Sequence, residues 1–297
     1  MKNRGRDRLE RARRLLSEAV YETALVPTSG PGAAVGLARG AVAEGVGLIV
    51  AAGGDGTVNE VANGVLSEGP GPSAPAIAVV PGGSTNVFAR TIGMPNDWVE
   101  ATGVLLEALH EGRSRVIGLG RADDRYFTFC AGLGLDAEVI RRVEQARRQG
   151  NSSSPTLYFR KFAGHYLTPR DRRRPRITLE LPGEPPDSDL ASAIVQNTAP
   201  WTFLGSRAVE ACPGASFDLG LDMMGIRSVH SLGFARTLMQ LLLADPPHGR
   251  AVLGLHDVSE FTLRAEVPMA LQLDGEYLGE HDKVNFSSVP SALRVIC

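Results

Sequence analysis

A glycine-rich turn at residues 53–57 carries residue types suited to holding a phosphate group. Gly53, Gly54 and Gly56 lack Cβ atoms, so the backbone there can approach a ligand closely. A helix that starts beside such a turn presents its first N–H groups to an anion. Asp55 repels a phosphate unless a cation lies between them, and Mg²⁺ commonly bridges carboxylates and phosphates. The turn therefore predicts a Mg²⁺-dependent nucleotide site, and an ordinary strand-to-helix turn with an exposed Asp55 is the alternative.

The elements around this turn predict how it is positioned. Residues 46–52 are almost entirely apolar, which is typical of a short parallel strand covered on both faces. Thr57 and Glu60 form a capping-box pattern, so we expect a helix to begin at Thr57. A second apolar strand at 76–80 leads into a PGGST turn, where Ser84 is expected to cap the next helix. Strands that alternate with helices predict a doubly wound, mainly parallel sheet with both turns at one edge.

A late DGE sequence at residues 274–276 brings two more carboxylates together. In an extended segment Asp274 and Glu276 point to the same side. Mutual repulsion would then raise the pKa of one carboxyl and make it a better proton acceptor. A hairpin turn is the simpler interpretation of DGE taken alone.

The remaining patterns predict two domains. An amphipathic helix at 9–19 and a strand at 21–26 precede the glycine turns, and alternating segments begin near residue 115. We expect an α/β domain at 1–119 and a mainly β, sandwich-like domain at 120–297. The second domain contains one predicted helix at 231–244, and a contact between its C-terminal tail and the first domain is left open.

The charge distribution is uneven although the net charge is only −2. Between residues 141 and 176 there are eleven Lys and Arg residues against two acidic residues. Such a basic island suggests a face for an anionic surface, and a solvated segment is the alternative. Within the island, four aromatic residues predict either an interfacial helix or a packed core stripe. These aromatic residues are Tyr158, Phe159, Phe162 and Tyr166.

Cysteine use and hydropathy limit the cellular context. Cys130, Cys212 and Cys297 have neither disulfide-framework nor zinc-site spacing, which favours a reducing cytoplasm. No run approaches the roughly 20 apolar residues that a membrane span requires, and the first residues lack the apolar core of a signal peptide. Any membrane contact is therefore expected to be peripheral.

Four motifs in order resemble a known family. They are GGDGTVNEVANGV at 53–65, PGGSTNVFAR at 81–90, AGLGLDAEV at 131–139 and LDGE at 273–276. With them, the chain resembles the bacterial lipid kinases of the diacylglycerol kinase catalytic-domain family, which is related to sphingosine and ceramide kinases. The resemblance runs along nearly the whole chain.

The resemblance implies transfer of the γ-phosphate of ATP, with Mg²⁺, to a hydroxyl of diacylglycerol or a similar lipid. It places the catalytic base on Glu276 with Asp274 beside it. It places Asp55 and Asp136 in the Mg²⁺ and phosphate network and Asp218 near a second, structural metal site. The implied partner is a lipid at the membrane surface and not a nucleic acid, and a homodimer is left open. The implied nucleotide contacts are Thr28, Gly53, Gly54, Asp55, Gly56, Thr57, Asn59, Glu60, Gly83 and Ser84.

Two departures from the family pattern leave other functions open. The sequence starts inside the loop that normally follows the family's first strand, and Val87 stands where the family usually has Asp. These departures motivate a catalytically impaired lipid or nucleotide sensor as one alternative. NAD kinase, which shares the GGDGT turn, is another, although its Thr-Gly-Ser-Thr-Ala-Tyr pattern is absent here. No recognisable nucleic-acid-binding module accompanies the basic island.

Overall fold

A computed structural model of the chain describes residues 7, 10, 11, 14, 15, 22–71, 74–148, 177–227, 232–243 and 247–297. Two compact units divide the chain. The first is Met1–Ile117 together with Ser291–Cys297, and the second is Gly118–Pro290. The first unit is α/β with parallel strands and the second is largely β, which confirms the predicted fold class.

The first unit alternates helices with strands. Its elements are α1 (Ala33–Ala43), β1 (Leu48–Gly53), α2 (Asp55–Val65), β2 (Ala76–Pro81), α3 (Val87–Thr91) and α4 (Trp98–Glu111). β1 and β2 are parallel, with Gly53 opposite Pro81. On the other side of β2, Val295 from the last residues of the chain pairs with Ile77, again in parallel. β2 is therefore flanked on both sides and buried along its whole length, whereas β1 is only partly buried.

Two predictions for the start of the chain have different outcomes. The described residues within or beside the helix predicted at 9–19 are helical: Asp7, Glu10, Arg11, Arg14 and Leu15. The strand predicted at 21–26 is wrong for residues 22–26, which form no regular element. Leu25 and Val26 are exposed there. Apolar and β-branched side chains favour a strand only where a sheet buries them, and these two are not buried.

The second unit consists mostly of strands. They are β3 (Arg115–Ala122, which begins in the first unit), β4 (Arg125–Phe127), β5 (Cys130–Leu133), β6 (Ile177–Glu180), β7 (Asp187–Leu190), β8 (Ser192–Gln196), β9 (Thr202–Leu204), β10 (Arg207–Val209), β11 (Leu221–Ile226), β12 (Val252–Val258), β13 (Glu260–Leu273) and β14 (Glu276–Val295, which ends in the first unit). Two helices interrupt them, α5 (Leu135–Arg148) and α6 (Leu232–Leu243).

An antiparallel arrangement organises these strands. The order is β14, β13, β5, β8, β11, β12, with β6 also paired to β13 and β3 paired to β14. β9 and β10 form a separate hairpin. The main core lies on one face of the sheet, where Phe127, Phe261 and Phe286 pack together. A rigid sheet of this kind holds the turns at its strand ends in fixed positions.

Two predicted surface features lie partly or wholly outside the described residues. The basic island is described only to residue 148, and the aromatic stripe at 158–166 falls entirely within 149–176, which the structure does not describe. Within the described ranges, the longest apolar helix is still too short and too polar to cross a bilayer.

Candidate functional site

The two glycine turns of the first unit pack directly against each other. They follow β1 and β2, whose parallel register brings Gly53 opposite Pro81. The N–H of Gly82 donates to the carbonyl of Gly53 at 2.9 Å. A Cβ at Gly83 would lie 2.7 Å from the Cα of Gly54, closer than real Cβ atoms come to backbone. The close backbone approach therefore requires glycine at Gly83 whether or not a ligand binds.

Gly56 differs from these glycines because no contact with the described residues requires glycine there. A Cβ at Gly56 would have no heavy atom within 4 Å, and its φ is not in the left-handed region. It is the second residue of α2, where glycine is disfavoured relative to alanine. In the described part of the chain, no side chain forms a capping hydrogen bond at this N-terminus. Gly56 therefore leaves open space beside a helix N-terminus, which is a favourable place for an anion.

The start of α2 differs from the prediction. The helix begins at Asp55 with Gly54 as its N-cap, so the capping box of Thr57 and Glu60 is wrong. Thr57 is instead the third helical residue, and its side chain fills the space that a Cβ at Gly53 would occupy, 2.6 Å from the Thr57 Oγ1. Because the turn is tight, the helix already starts at Asp55, before the chain reaches Thr57, the predicted capping residue.

Glu60 caps a different helix. Its Oε1 accepts the N–H of Gly32 at 2.7 Å, and its Oε2 accepts the N–H of Ala34 at 2.9 Å. Gly32, the N-cap of α1, has a left-handed φ of 83° and no side chain that could cap the helix. Both carboxylate oxygens of Glu60 thus fix the start of α1, immediately after the loop that contains Thr28. A nucleotide contact for Glu60 remains a prediction.

Asp55 joins the two glycine turns. Its Oδ1 accepts the backbone N–H of Phe88 in α3 at 3.0 Å. The carboxylate therefore lies between the first residue of α2 and the first turn of α3. The Asp55 carboxylate therefore also holds the second turn in place. Its role in the Mg²⁺ and phosphate network remains a prediction.

Asn86, which sequence reasoning noted only for its neighbour Val87, organises the second turn. It adopts a left-handed conformation (φ 51°, ψ 51°), which Asn tolerates better than most residues. Its Oδ1 accepts the N–H of Gly83 at 2.8 Å, and its Nδ2 donates to the Gly83 carbonyl and to Asn96. Asn86 is the N-cap of α3, so the prediction that Ser84 caps this helix is wrong.

The side chains of the other predicted nucleotide contacts differ in their exposure to solvent. Thr28 and Ser84 are exposed and lie in irregular segments, which keeps their hydroxyls accessible. Asn59 is fully buried, and its Oδ1 accepts the Nδ2 of Asn63 at 3.2 Å. The nucleotide contacts of Thr28, Ser84 and Asn59 all remain predictions.

In the second unit, the DGE sequence forms the tight turn between β13 and β14. Leu273 pairs with Glu276, and Asp274 and Gly275 both have positive φ, of 49° and 80°. An Asp-Gly pair in this conformation is typical of a two-residue hairpin. The extended segment with two carboxylates on one side is therefore wrong.

Asp274 is buried and fully hydrogen-bonded within this hairpin. Its Oδ2 accepts the N–H and the hydroxyl of Thr128 at 2.7 and 2.9 Å. Its Oδ1 accepts the N–H groups of Phe129 and Cys130 at 3.0 and 3.1 Å. With an exposed fraction of 3%, Asp274 holds the hairpin against residues 128–130. This contact spans more than a hundred positions in the chain, so no local sequence signal could have predicted it.

Glu276 lies one residue beyond the turn and remains accessible. Its Oε2 forms an ion pair with Arg125 of β4, and about a third of its side chain is exposed. Arg125 fixes the direction of the carboxylate without burying it. Sequence reasoning missed Arg125 because the two residues are 151 positions apart.

Asp136 is connected to the same hairpin through Gln272. The Gln272 Nε2 donates to the Asp136 Oδ2 at 2.6 Å, and the Gln272 Oε1 accepts the Gly275 N–H at 2.8 Å. Desolvation raises the pKa of Asp136 to about 6, and the Gln272 hydrogen bond opposes that shift. A Cβ at Gly132 would lie 2.3 Å from the Asp136 Oδ2, so the glycine makes room for the carboxylate. The structure thus brings Asp136, Asp274 and Glu276 into one neighbourhood.

Asp218 and its surroundings give no support for a metal. Asp218 is exposed, and its N–H donates to the Ser216 Oγ at 3.4 Å. Nearby in the sequence, buried Asp222 pairs with the His256 Nδ1 at 2.9 Å, which raises the pKa of His256. In the described part of the chain, no three His, Cys, Asp or Glu side chains cluster closely enough to hold an ion. The metal assignments for Asp136 and Asp218 remain predictions.

Comparison with known proteins finds a family model that the first part of the chain matches. Residues 1–122 match the family described as diacylglycerol kinase catalytic domain. A diacylglycerol kinase of Staphylococcus aureus (strain JH9) is 38% identical over 124 residues, which are 42% of this chain and 37% of that relative. The match therefore spans little more than a third of the length of these curated relatives.

Solved structures extend the likeness in fold to nearly the whole chain. A diacylglycerol kinase from Bacillus anthracis str. Sterne superimposes with a TM-score of 0.71 at 20% identity, covering 95% of this chain and 88% of that one. An NAD kinase from Archaeoglobus fulgidus in complex with ATP gives 0.52 at 12% identity, covering 97% and 88%. The resemblance to the diacylglycerol kinase catalytic-domain family, inferred from four motifs, is confirmed over residues 1–122.

Proposed function

We propose that the protein is an ATP-dependent lipid kinase that transfers the γ-phosphate of ATP to a hydroxyl of diacylglycerol or a similar lipid. The family match over residues 1–122 and the relatives described as diacylglycerol kinases support this activity. A cytoplasmic protein in peripheral contact with the membrane that holds its substrate is the setting this activity requires. Whether it works as a monomer or a homodimer is independent of the proposal.

The observation that carries the proposal is the empty space beside Gly56. The two glycine turns are closed against each other by their own backbones, which accounts for Gly83 and its neighbours. Among the residues that the structure describes, none requires glycine at Gly56, and this residue lies where the N-terminus of α2 favours an anion. A phosphate chain of ATP fits this position, and the exposed hydroxyls of Thr28 and Ser84 supply further donors.

The donor set fits Mg²⁺ only if the ion arrives with the nucleotide. The described residues contain no cluster of three ligating side chains, so they do not form a complete metal cage. Mg²⁺ usually keeps several waters and binds one or two carboxylates together with substrate phosphates. In the first unit, Asp55 is the carboxylate we propose for that role, where the ion would neutralise the charge of the phosphates. In the second unit, we propose a role towards Mg²⁺ for Asp136, considered by itself.

Glu276 is the proposed general base. It would take the proton of the acceptor hydroxyl while that oxygen forms a bond to the γ-phosphorus and the bond to the β-phosphate oxygen of ATP breaks, leaving ADP. Its exposed fraction of about a third leaves the carboxylate accessible, and Arg125 orients it. Phosphoryl transfer depends mainly on positioning and charge stabilisation, which these groups can supply.

The test is transfer of labelled phosphate from ATP to diacylglycerol in mixed detergent micelles, with Mg²⁺ present. We expect Glu276→Gln to lower the rate by about 10²-fold or more, because loss of a general base has effects of that order. Glu280→Gln, a more exposed carboxylate on the same strand, is the matched control and should retain the parent rate. Thermal unfolding of each variant checks that the hairpin remains intact.

Other outcomes identify the alternatives. A Glu276→Gln variant as active as the parent would remove Glu276 from the mechanism. A parent protein that binds Mg-ATP in calorimetry but transfers no phosphate to any lipid hydroxyl would indicate a sensor. Labelled phosphate on NAD, offered in the same assay, would indicate an NAD kinase.

A further inference from the structure

Helix α6 in the second unit exposes an apolar stripe. Ala235, Met239 and Leu243 recur every four residues and therefore lie along one side of the helix. Met239 is 53% exposed and Leu243 is 67% exposed, the largest exposed fraction among the large hydrophobic side chains of the described residues. Arg236 is also exposed and borders the stripe, so the exposed arc covers about 100° of the helix.

The buried side of α6 contains apolar Leu241 together with two polar residues. Thr237 and Gln240 are 1% and 5% exposed. The Thr237 hydroxyl donates to the Gly233 carbonyl at 3.0 Å, and the Gln240 Nε2 contacts the His248 Nδ1 at 2.8 Å. An ordinary surface helix has its apolar side chains inward and its polar ones outward. In α6, Leu241 packs inward as expected, but Met239 and Leu243 are exposed as well. This second apolar side indicates a surface that meets something other than water.

Arg236 borders the stripe, and a second arginine lies close to its His248 partner in the sequence. The Arg236 guanidinium contacts the His248 Nε2 at 2.9 Å, and Arg250, two residues later, is exposed. Within the described residues 232–243 and 247–250 there is no Asp or Glu, and Asp245 lies in the segment 244–246 outside them. An apolar stripe with a cationic border is the pattern of a helix that lies in the interface of an anionic membrane.

We propose that this face of α6, formed by Ala235, Met239 and Leu243 with Arg236 and Arg250, binds the surface of an anionic lipid bilayer. Met239 and Leu243 enter the boundary between headgroups and acyl chains, and the arginines contact headgroup phosphates. A second copy of the chain is a poorer occupant, because a symmetric contact would bring the arginines of both copies together. This inference rests on the proposed function, because the membrane contact would bring the enzyme to its lipid acceptor.

The experiment measures the partitioning of the full chain onto vesicles by co-sedimentation, without ATP. Vesicles of phosphatidylcholine alone are compared with vesicles of phosphatidylcholine and phosphatidylglycerol. The double variant Met239→Gln/Leu243→Gln is expected to lower the partition coefficient for the mixed vesicles by about ten-fold or more, because two apolar side chains no longer enter the interface. Arg250→Gln is expected to weaken binding by about five-fold at low salt and less at high salt.

Val267→Gln is the matched control. Val267 is a hydrophobic residue of β13 in the same unit with 50% exposure, similar to Met239, but away from α6. It should bind vesicles like the parent. Equal loss in Val267→Gln and the double variant, or no loss in the double variant, would overturn the proposal. A double variant that changes the oligomeric state measured by light scattering while vesicle binding is unchanged would show that a second copy covers the face instead.

A site-specific probe provides a second measurement. Leu243→Cys in a Cys297→Ser background carries an environment-sensitive fluorophore, since Cys130 and Cys212 are buried. Mixed vesicles should shift its emission to the blue, and an unchanged spectrum would contradict the proposal. Phosphate transfer to a short-chain, water-soluble diacylglycerol separates the two proposals. Transfer without vesicle binding overturns only the membrane face, and vesicle binding without transfer overturns only the kinase.

Discussion

The glycine turns of the first unit and the DGE hairpin of the second are stabilised in different ways. Backbone-to-backbone contacts close the glycine turns, and Gly56 is left beside open space. The hairpin is fixed by one buried carboxylate, Asp274, which accepts four hydrogen bonds from residues 128–130. Acidic residues in a motif are thus not equivalent: some hold the loop, and others remain accessible for chemistry.

The same division separates neighbouring carboxylates in each unit. Glu60 accepts backbone N–H groups at the start of α1 with both oxygens, whereas the Asp55 Oδ1 accepts the Phe88 N–H at the junction of the two turns. Asp274 is buried, whereas Glu276, two residues later, is about a third exposed. Substitutions that remove one group at a time can test which residues hold a loop and which remain accessible for chemistry.

Asp274→Ala should have the largest effect. It leaves the N–H groups of residues 128–130 and the Thr128 hydroxyl without their acceptor in a buried site. We expect the free energy of unfolding to fall by about 3–4 kcal/mol. Urea denaturation measures the change, and Asp282→Ala, an exposed carboxylate on β14, is the control. A loss below about 1 kcal/mol would show that the hairpin does not depend on this carboxylate.

Gly83→Ala should have the next largest effect. Its Cβ would lie 2.7 Å from the Cα of Gly54, so the two turns must move apart. Such overpacking costs about 1–3 kcal/mol, and binding of Mg-ATP, measured by calorimetry, should be lost with it. Gly36→Ala in α1, where a Cβ meets nothing within 4 Å, is the matched control and should be neutral or stabilising. A stable Gly83→Ala variant with parent affinity would contradict the packing described above.

Glu60→Gln should cost about 1–2 kcal/mol, because an amide NH₂ replaces one of two acceptor oxygens at the N-terminus of α1. We also expect a higher apparent KM for ATP with little change in kcat, since the loop containing Thr28 is then less well positioned. Glu68→Gln, which is exposed beyond the end of α2, is the control. Unchanged stability would mean that the α1 N-terminus is capped by solvent instead.

Gly56→Ala separates ligand binding from folding. A Cβ has open space at this position, and alanine is the better helix former, so stability should stay within about 1 kcal/mol of the parent or rise. The affinity for Mg-ATP should nevertheless fall about ten-fold, because the methyl group occupies space proposed for a phosphate. Parent affinity in calorimetry would place the phosphates elsewhere and remove the observation on which the proposed function mainly rests.

His256 should show the smallest effect, through its titration. Its hydrogen bond to buried Asp222 raises its pKa in the folded protein above the usual value of about 6.5. The stabilisation from this pair is fully present below the unfolded-state pKa and is lost as the pH rises through the folded-state pKa. An NMR titration of the imidazole should show the raised pKa, and Asp222→Asn should return it to the usual range. Equal values in both proteins would rule out the pairing.

Sequence patterns predicted the elements of the fold well where hydrophobic periodicity is strong. The runs at 46–52 and 76–80 are parallel strands, and the helix predicted at 231–244 forms at Leu232–Leu243. The strand predicted at 21–26 is wrong because apolar composition alone does not provide a neighbouring strand. Both helix starts were misplaced, since Gly54 and Asn86 cap α2 and α3 through backbone conformation and not through the predicted Thr57 and Ser84.

The candidate site was predictable in its members but not in their contacts. Residue type and spacing single out Gly56 in the glycine turn and Glu276 in the DGE sequence, whereas the family resemblance alone named Asp136. The partners of these carboxylates lie far away in the chain: Arg125 contacts Glu276, and Gln272 contacts Asp136. Nothing local in the sequence specifies such pairs, because they depend on which strands of the sheet become neighbours.

The last strand has a consequence for the order in which the protein is made. Val295 pairs with Ile77, and the Ile296 N–H donates to the Ile77 carbonyl at 2.9 Å, so the sheet of the first unit includes the last residues of the chain. A ribosome therefore releases most of the polypeptide before β2 gains its second neighbour. Until then β2, the most apolar strand of that sheet, has an open edge, and an unpaired strand edge invites association with other chains. The nascent first unit is therefore expected to expose this edge until residues 295 and 296 have been synthesised.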